Sequence, residues 1–290
     1  MTLSQIAGKL VDENIIRSAN IFKLYIKIFE GERNIKAGFY YFERPLGLIE
    51  IANRLTEGKN GIGLAGVTIR EGETLRSIAA IFENKKMYQA SEILKAANDD
   101  FGDEFSFLAD KPKPSGLEGY LFPDTYFFPP NIGPENVVGV MLENFDHKLT
   151  PELRGEIARQ GKTIFDVITM ASIIEREASD TEDRKIISGI LWKRVEAGMA
   201  LQADATLTYI TGNGTFALSA DDLAVDSPYN TYKYPGLPVG PISNPGLDAI
   251  LAAIYPKASP FWFYLHDKAG NPHYSKTFEE HKINKEKYLR

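Results

Sequence analysis

The chain has 290 residues, 43% apolar, 25% charged and 11% aromatic, with a formal charge of -6. That is enough chain for one large domain or two to three smaller ones, and the acidic balance is the opposite of the basic surface a nucleic-acid partner requires. With no cysteine, disulfides, thiolate catalysis and Cys-ligated zinc are excluded; the four histidines (His147, His266, His273 and His281) lack HExxH spacing, so neither metal nor cofactor is expected.

No run approaches the roughly 18 consecutive apolar residues of a membrane span. The TLSQIAGKL that follows Met1 is neither a charged n-region nor an apolar h-region, so a soluble chain without an address is expected. Residues 2–7 open an amphipathic helix, and a second, at 19–29, alternates apolar and basic positions. Residues 36–43, KAGFYYFE, predict a strand from their aromatics behind a glycine; 46–55 are helical again, stopped at Gly58. A short strand at 67–69 then leads into EGETLRSIA, where Thr74-Leu75-x-x-Ile78-Ala79 echoes Thr2-Leu3-x-x-Ile6-Ala7. A strand followed by G-x-T-L-x-x-I-A is similar to the start of a LysM module, a small fold that binds N-acetylglucosamine-containing glycans. A capping Thr with Leu, Ile and Ala in a core satisfies the same pattern, so the likeness speaks to architecture more than to a binding site.

Residues 98–114, rich in Asp, Gly, Lys and Pro, read as a connection between domains. Beyond them, LEGYLFPDTYFF carries Glu118, Tyr120, Asp124 and Tyr126 on strand or loop, because Pro123 breaks any helix. Aromatics interleaved with acids suit sugar binding, and core packing of the same aromatics is the equal alternative. Helices are expected at about 135–147, from Asp180 or Thr181 to Gly198, at 248–253 and at the charged C-terminus, with a helical turn at 219–223. Residues 201–209, LQADATLTY, place polar groups at alternate positions. The stretch 236–246, GLPVGPISNPG, is a proline-stiffened loop with a nearly fixed path. Residues 261–265 read as a strand paired with 273–278 in a hairpin.

The stretch 163–180, TIFDVITMASIIEREASD, organises the rest. Thr163 and Asp166 form a variant capping box ahead of a long apolar helix that ends in Glu175, Arg176 and Glu177. At roughly 100° per residue the two glutamates project about 200° apart, so they cannot flank one glycosidic bond as a carboxylate pair. Either one works singly, or a partner comes from elsewhere, or both are boundary charges.

Together, LEGYLFPDTY at 117–126, ASIIEREA at 171–178, LQADATLTY at 201–209, YNTY at 229–232 and GLPVGPISNPG at 236–246 resemble, in order and spacing, the YceG-like (MltG) endolytic murein transglycosylases. The likeness covers nearly the whole chain. It implies an α+β protein with an N-terminal subdomain at 1–66, a LysM-like subdomain and linker at 67–114, and a catalytic domain at 115–290. It implies Glu177, near the end of a helix, as the single general acid/base, with Glu175 supporting. Cleft contacts would come from Gln202, Asp204, Thr206, Tyr229, Asn230 and Tyr232, with Glu118 and Asp124 as further candidates. The implied reaction cuts the β-1,4 bond between N-acetylmuramic acid and N-acetylglucosamine, leaving a 1,6-anhydromuramoyl end. Peptidoglycan strands would be the substrate, with peptidoglycan synthases or division proteins as further partners, at the extracytoplasmic face of the plasma membrane. The resemblance implies an N-terminal membrane-spanning helix, and no run within the 290 residues is expected to form one. Val239 stands where the family commonly has a second proline, and Arg176 where it commonly has Lys. Two other readings compete: a peptidoglycan-binding or division scaffold that does not cut, and a hydrolase using Glu177 with Asp204 or Asp124 and water.

Overall fold

Threonine and serine side chains start most of the helices. In a computed structural model, residues 2–31, 34–36, 38, 40, 42, 46–58, 64–113, 115–129, 131–212 and 218–289 are described, and they form an α+β fold of helices with two small sheets. They fall into two units, residues 1–67 with 125–133, and residues 68–124 with 134–290.

In the first unit, α1 (Leu3–Asp12) begins at a Thr2–Gln5 capping box. Helix α2 (Ala19–Tyr25), capped by Ser18, runs into a π-helical turn at Ile26–Glu30, and α3 (Leu48–Glu57) stops at Gly58, whose φ is +73°. Their inner faces bury Ala7, Leu10, Phe22, Ile26, Ile51 and Leu55 in one core. Of the strand predicted at 36–43, residues 37, 39, 41 and 43 lie outside the described residues, and 36, 38, 40 and 42 are not in a strand. Tyr40 and Phe42 instead pack against the helical core, and the Tyr40 hydroxyl donates to the carbonyls of Lys36 and Leu55. Strand β1 (Ala65–Thr68) pairs with β2 (Thr125–Phe128), whose alternation buries Tyr126 and Phe128 as stacked rings.

In the second unit, Thr74 and Ser77 form the capping box of α4 (Leu75–Asn84), which packs on α5 (Ala90–Ala96). Within 98–114 the chain turns through a 3-10 segment at Ser106–Leu108, with Phe101, Phe107 and Leu108 buried. Helices α6 (Pro134–Lys148) and α7 (Pro151–Arg159) lead to α8 (Ile164–Glu177), started by the predicted Thr163–Asp166 capping box. Helix α7, with Thr150 as cap and proline in its first turn, has no counterpart in the sequence reading.

Every residue from Val167 to Ile174 is buried, so α8 is surrounded rather than amphipathic. Its neighbours are α9 (Thr181–Glu196), α10 (Asp204–Thr211) and, after a turn at α11 (Ala220–Ala224), α12 (Leu247–Ile254). The chain closes with an antiparallel hairpin, β3 (Phe263–His266) and β4 (Pro272–Ser275), and α13 (Phe278–Tyr288).

The proline-rich loop is fastened directly to α8. Ser172 Oγ accepts from the Ile242 N–H at 3.0 Å, and Ser243 Oγ donates to the Ser172 carbonyl at 3.1 Å. Buried Asn244 stitches three segments together, donating from Nδ2 to the Glu73 carbonyl and to Glu118 and accepting from the Leu121 N–H. Gly119, at φ +91°, lets the 117–121 turn close on this loop: a Cβ there would lie 2.6 Å from Pro241 Cβ and 2.9 Å from Ile168 Cγ2.

Candidate active site

The end of α8 presents two acids in contrasting surroundings. Glu175 is 5% exposed; its Oε1 accepts from Arg184 Nη2 at 2.6 Å and its Oε2 from the Gly246 N–H at 2.9 Å. Arg184 also donates to the Ala178 carbonyl. Burial pushes the Glu175 carboxyl upward, while the Gly246 N–H and the Arg184 charge oppose it. A carboxylate held by a cation and an amide at opposite oxygens is a joint between α8, α9 and the start of α12. Arg184, rather than the adjacent Arg176, is its partner.

Glu177, half-buried in the last turn of α8, has no Lys or Arg within ion-pair distance among the described residues. Its Oε2 accepts from the Tyr264 hydroxyl of β3 at 3.0 Å, and the Ala205 N–H in the first turn of α10 lies near the same carboxyl. Burial is the main force pushing its pKa from the ordinary 4.5 to about 7. The Asp204 charge adds to that rise, whereas the Tyr264 hydrogen bond, the His266 charge and the Ala205 N–H oppose it. A helix C-terminus, with its partial negative charge, also disfavours the anion. Nearby Arg194 spends its guanidinium on the carbonyls of Trp262 and Leu201.

Asp204 opens α10 as an exposed carboxylate, and the Tyr232 hydroxyl donates to its Oδ1. Gln202 is also exposed and sits at φ +52°, a region that costs a non-glycine residue about 1–3 kcal/mol; its N–H donates to the Thr231 carbonyl at 3.0 Å. In sequence it lies two residues before Asp204. Tyr229 and Tyr209 pack ring against ring, with centroids 5.1 Å apart.

Two of the expected cleft contacts have other work. Thr206 and Asn230 are fully buried. The Thr206 hydroxyl donates to the Ala203 carbonyl and lies 3.0 Å from Thr231 Oγ1. Asn230 Nδ2 donates to the carbonyls of Leu223 and Val225, while its Oδ1 accepts from the N–H groups of Tyr232 and Lys233. They hold the backbone that carries Asp204 and Tyr232. A short polar side chain inside a folded loop is more often a scaffold than a ligand contact, because a buried polar group needs partners wherever it sits.

Glu118 is a second acid pushed up to about 7 by burial. It is saturated with donors: the Leu75 N–H at 2.9 Å, Asn244 Nδ2 at 3.1 Å and the Tyr209 hydroxyl at 3.2 Å. Asp124 is exposed in the turn before β2 and accepts from Asn144 Nδ2 at 3.0 Å. A surface cavity of about 480 Å³ is lined by Asp226, Ser227, Pro228, Tyr234, Leu237 and Val239, and Glu177 is not among its walls.

The structure therefore gathers Glu177, Asp204 and Tyr232, with Gln202 beside Asp204, and adds Tyr264, His266 and Arg194, which sequence reasoning did not single out. The period of two in Phe263-Tyr264-Leu265-His266 is the signal that places Tyr264 and His266 on one face of a strand. Chemically, a half-buried carboxyl whose pKa is raised to about 7 and which has a hydroxyl donor ready for its anion can give up a proton and take one back. Among the described residues no group of three His, Cys, Asp or Glu side chains is placed to hold a metal ion.

The chain is similar to proteins of known name. It is 32% identical to the endolytic murein transglycosylase of Bacillus subtilis strain 168, over 99% of this chain and 82% of that protein. It is 30% identical to the endolytic murein transglycosylase of Streptococcus pneumoniae D39, over 97% of this chain and 56% of that longer one. A crystal structure of a YceG-like protein from Listeria monocytogenes, 34% identical, superimposes with a TM-score of 0.70 and covers 97% of this chain and 95% of its own. The YceG-like family model matches residues 1–287, and with relatives this similar over nearly its full length the chain belongs to the YceG-like family.

Proposed function

We propose that the chain is an endolytic murein transglycosylase in which Glu177 is the only acid/base. The observation that carries the assignment is the difference between the three buried acids: Glu175 is neutralised by Arg184, Glu118 is filled with donors, and Glu177 alone combines a pKa near 7 with open valences. In the first half of the reaction the Glu177 carboxylic acid gives its proton to the O4 oxygen of the departing N-acetylglucosamine as the bond to muramoyl C1 breaks. In the second, the Glu177 carboxylate takes the proton of the muramoyl C6 hydroxyl, whose oxygen closes on C1. Atoms balance without water: one glycosidic bond is lost, one intramolecular C–O bond is gained, and the enzyme carboxyl ends protonated as it began. Tyr264 stabilises the transient carboxylate, while Asp204, Gln202, Tyr229 and Tyr232 line the sugar path.

Peptidoglycan as substrate places the work in the cell envelope, at the extracytoplasmic face of the membrane, where synthases and division proteins would be the neighbours. Residues 67–114 would serve as a LysM-like hold on the glycan and 115–290 as the cutting domain, with 1–66 as a separate N-terminal subdomain. Among the described residues no helix is long and apolar enough to cross a membrane.

Digestion of uncrosslinked glycan with Glu177→Gln tests the assignment. The variant should still bind the glycan but release no anhydro-ended product. Undiminished product would refute the role of Glu177. A wild-type product one water heavier would mean hydrolysis instead, with Asp204 or Asp124 acting on water alongside Glu177.

A further inference from the structure

One face of the β3–β4 hairpin carries three polar side chains of which the mechanism above uses only one. Tyr264 and His266 lie two residues apart on β3, and Tyr274 stands opposite Tyr264 on β4. Side chains at such positions share a face of a two-stranded ribbon. His266 Nε2 lies 2.6 Å from Asp183 Oδ2, and the Tyr274 hydroxyl donates to Asp183 Oδ1. Asp183 is 6% exposed and sits in the first turn of α9. The same hairpin face thus grips two carboxylates of the helical core, Asp183 through His266 and Tyr274, and Glu177 through Tyr264. Fixing the hairpin on Asp183 fixes where the Tyr264 hydroxyl meets Glu177.

We propose that His266, held by Asp183, is a positioning residue for Glu177: it locks the hairpin so that Tyr264 reaches the acid, and it sets an imidazolium charge beside that acid which favours the carboxylate formed when the proton leaves. The proposal rests on Glu177 being the acid/base. The charged and titrating groups around the pair come from five directions: Glu177 on α8, Asp183 and Arg194 on α9, Asp204 on α10, Tyr232 on the loop after α11, and Asp267, Tyr264 and Tyr274 on the hairpin itself. The Asp183 hydrogen bond raises the His266 pKa above its ordinary 6.5. Burial opposes the rise, and the charges of Asp183, Glu177 and Asp267 support it. The imidazolium therefore persists into the pH range in which Glu177 titrates. Arg194 is charged throughout that range and cannot produce a pH-dependent effect of its own.

Neither Tyr264 nor Arg194 duplicates this role. Tyr264 supplies a neutral donor, and Arg194 is committed to backbone carbonyls. His266 is the group whose charge changes alongside that of the acid, so the two titrations must be coupled equally in both directions.

The test is His266→Gln, whose amide keeps a donor at the position of Nε2 and removes the charge. Glycan cleavage is followed against pH for wild type, H266Q and E177Q, and the His266 titration is followed by NMR in wild type and E177Q. In H266Q the basic limb of the profile should move up by about half a pH unit, because Glu177 loses a neighbouring cation. In E177Q the His266 midpoint should fall by a similar amount, because the imidazolium loses a neighbouring anion. A uniform loss of activity in H266Q with an unmoved limb, or a His266 midpoint unchanged in E177Q, would overturn the proposal while leaving the acid assignment intact. Undiminished anhydro product from E177Q would instead defeat the assignment on which it rests. Should H266Q fail to fold, Asp183→Asn read by the same NMR titration decides the matter: a lowered His266 midpoint supports the pairing, and an unchanged one refutes it.

Discussion

Replacing Glu177 by glutamine should remove activity and, above neutral pH, make the protein more stable. The sign follows from the direction of the shift. A carboxyl whose pKa rises from 4.5 to about 7 on folding binds its proton more tightly in the folded state. Its favourable contribution is complete below about pH 4.5 and is lost as pH climbs through about 7, beyond which the folded chain carries a desolvated anion. At about 1.4 kcal/mol per pH unit, that penalty amounts to roughly 3 kcal/mol above pH 8, and solvent reaching the incompletely buried side chain makes this a ceiling. Glutamine keeps the size and an acceptor for Tyr264 but has no charge to desolvate. Urea unfolding of wild type and E177Q from pH 4.5 to 8.5 would therefore show two curves that nearly coincide at the acid end and separate by about 1–3 kcal/mol at the alkaline end, with the variant above. A constant offset across the range, or a variant less stable at pH 8.5, would mean that the carboxyl is not held neutral by its surroundings. The acid assignment would then lose its physical basis.

Two further outcomes follow from the same site. Tyr264→Phe removes a donor that favours the anion of Glu177, and Asp204→Asn removes a charge that opposes it; pH–rate profiles should show the basic limb moving up in the first and down in the second, and movement in a common direction would contradict the electrostatics described. Arg184→Met leaves Glu175 buried without its cation and should cost about 3–5 kcal/mol, most of it recovered when Glu175→Gln is added; additive losses in chemical denaturation would show that the pair is not coupled.

How much of this was legible in the sequence depends on whether the controlling partner is local. The capping box at Thr163 and Asp166, the stop at Gly58 and the 263–275 hairpin all rest on residues within a few positions of one another, and each is present. The helix at 204–211 was obscured by the polar alternation of Gln202, Asp204, Thr206 and Thr208. Burial there follows another rhythm: Ala203, Thr206 and Leu207 face inward at helical spacing, and Gly212 at φ +70° ends the segment. The roles of the two glutamates were beyond local reading, because their partners are distant. Arg184 reaches Glu175 from the next helix, and Tyr264 reaches Glu177 from 87 positions along the chain. Thr206 and Asn230 matched a family block in sequence, but burial gave their polar atoms to the backbone instead.

The separation of Glu175 and Glu177 by two residues lets one helix end serve two purposes. Because α8 is buried from Val167 to Ile174, Glu175 and Glu177 just beyond meet other elements at once, while Arg176 between them is exposed. The side facing α9 and α12 offers an arginine and a backbone amide, which oppose the upward push of burial on the acid there and tie three helices together. The side facing α10 and the hairpin offers a tyrosine hydroxyl, one amide and a second carboxylate, which together cannot repay the loss of water. Burial raises both carboxyls, but only Glu175 has a cation and an amide bonded to opposite oxygens, which is what separates a structural joint from a group free to exchange a proton. Exchanging the neighbours, rather than the glutamates themselves, would exchange those roles.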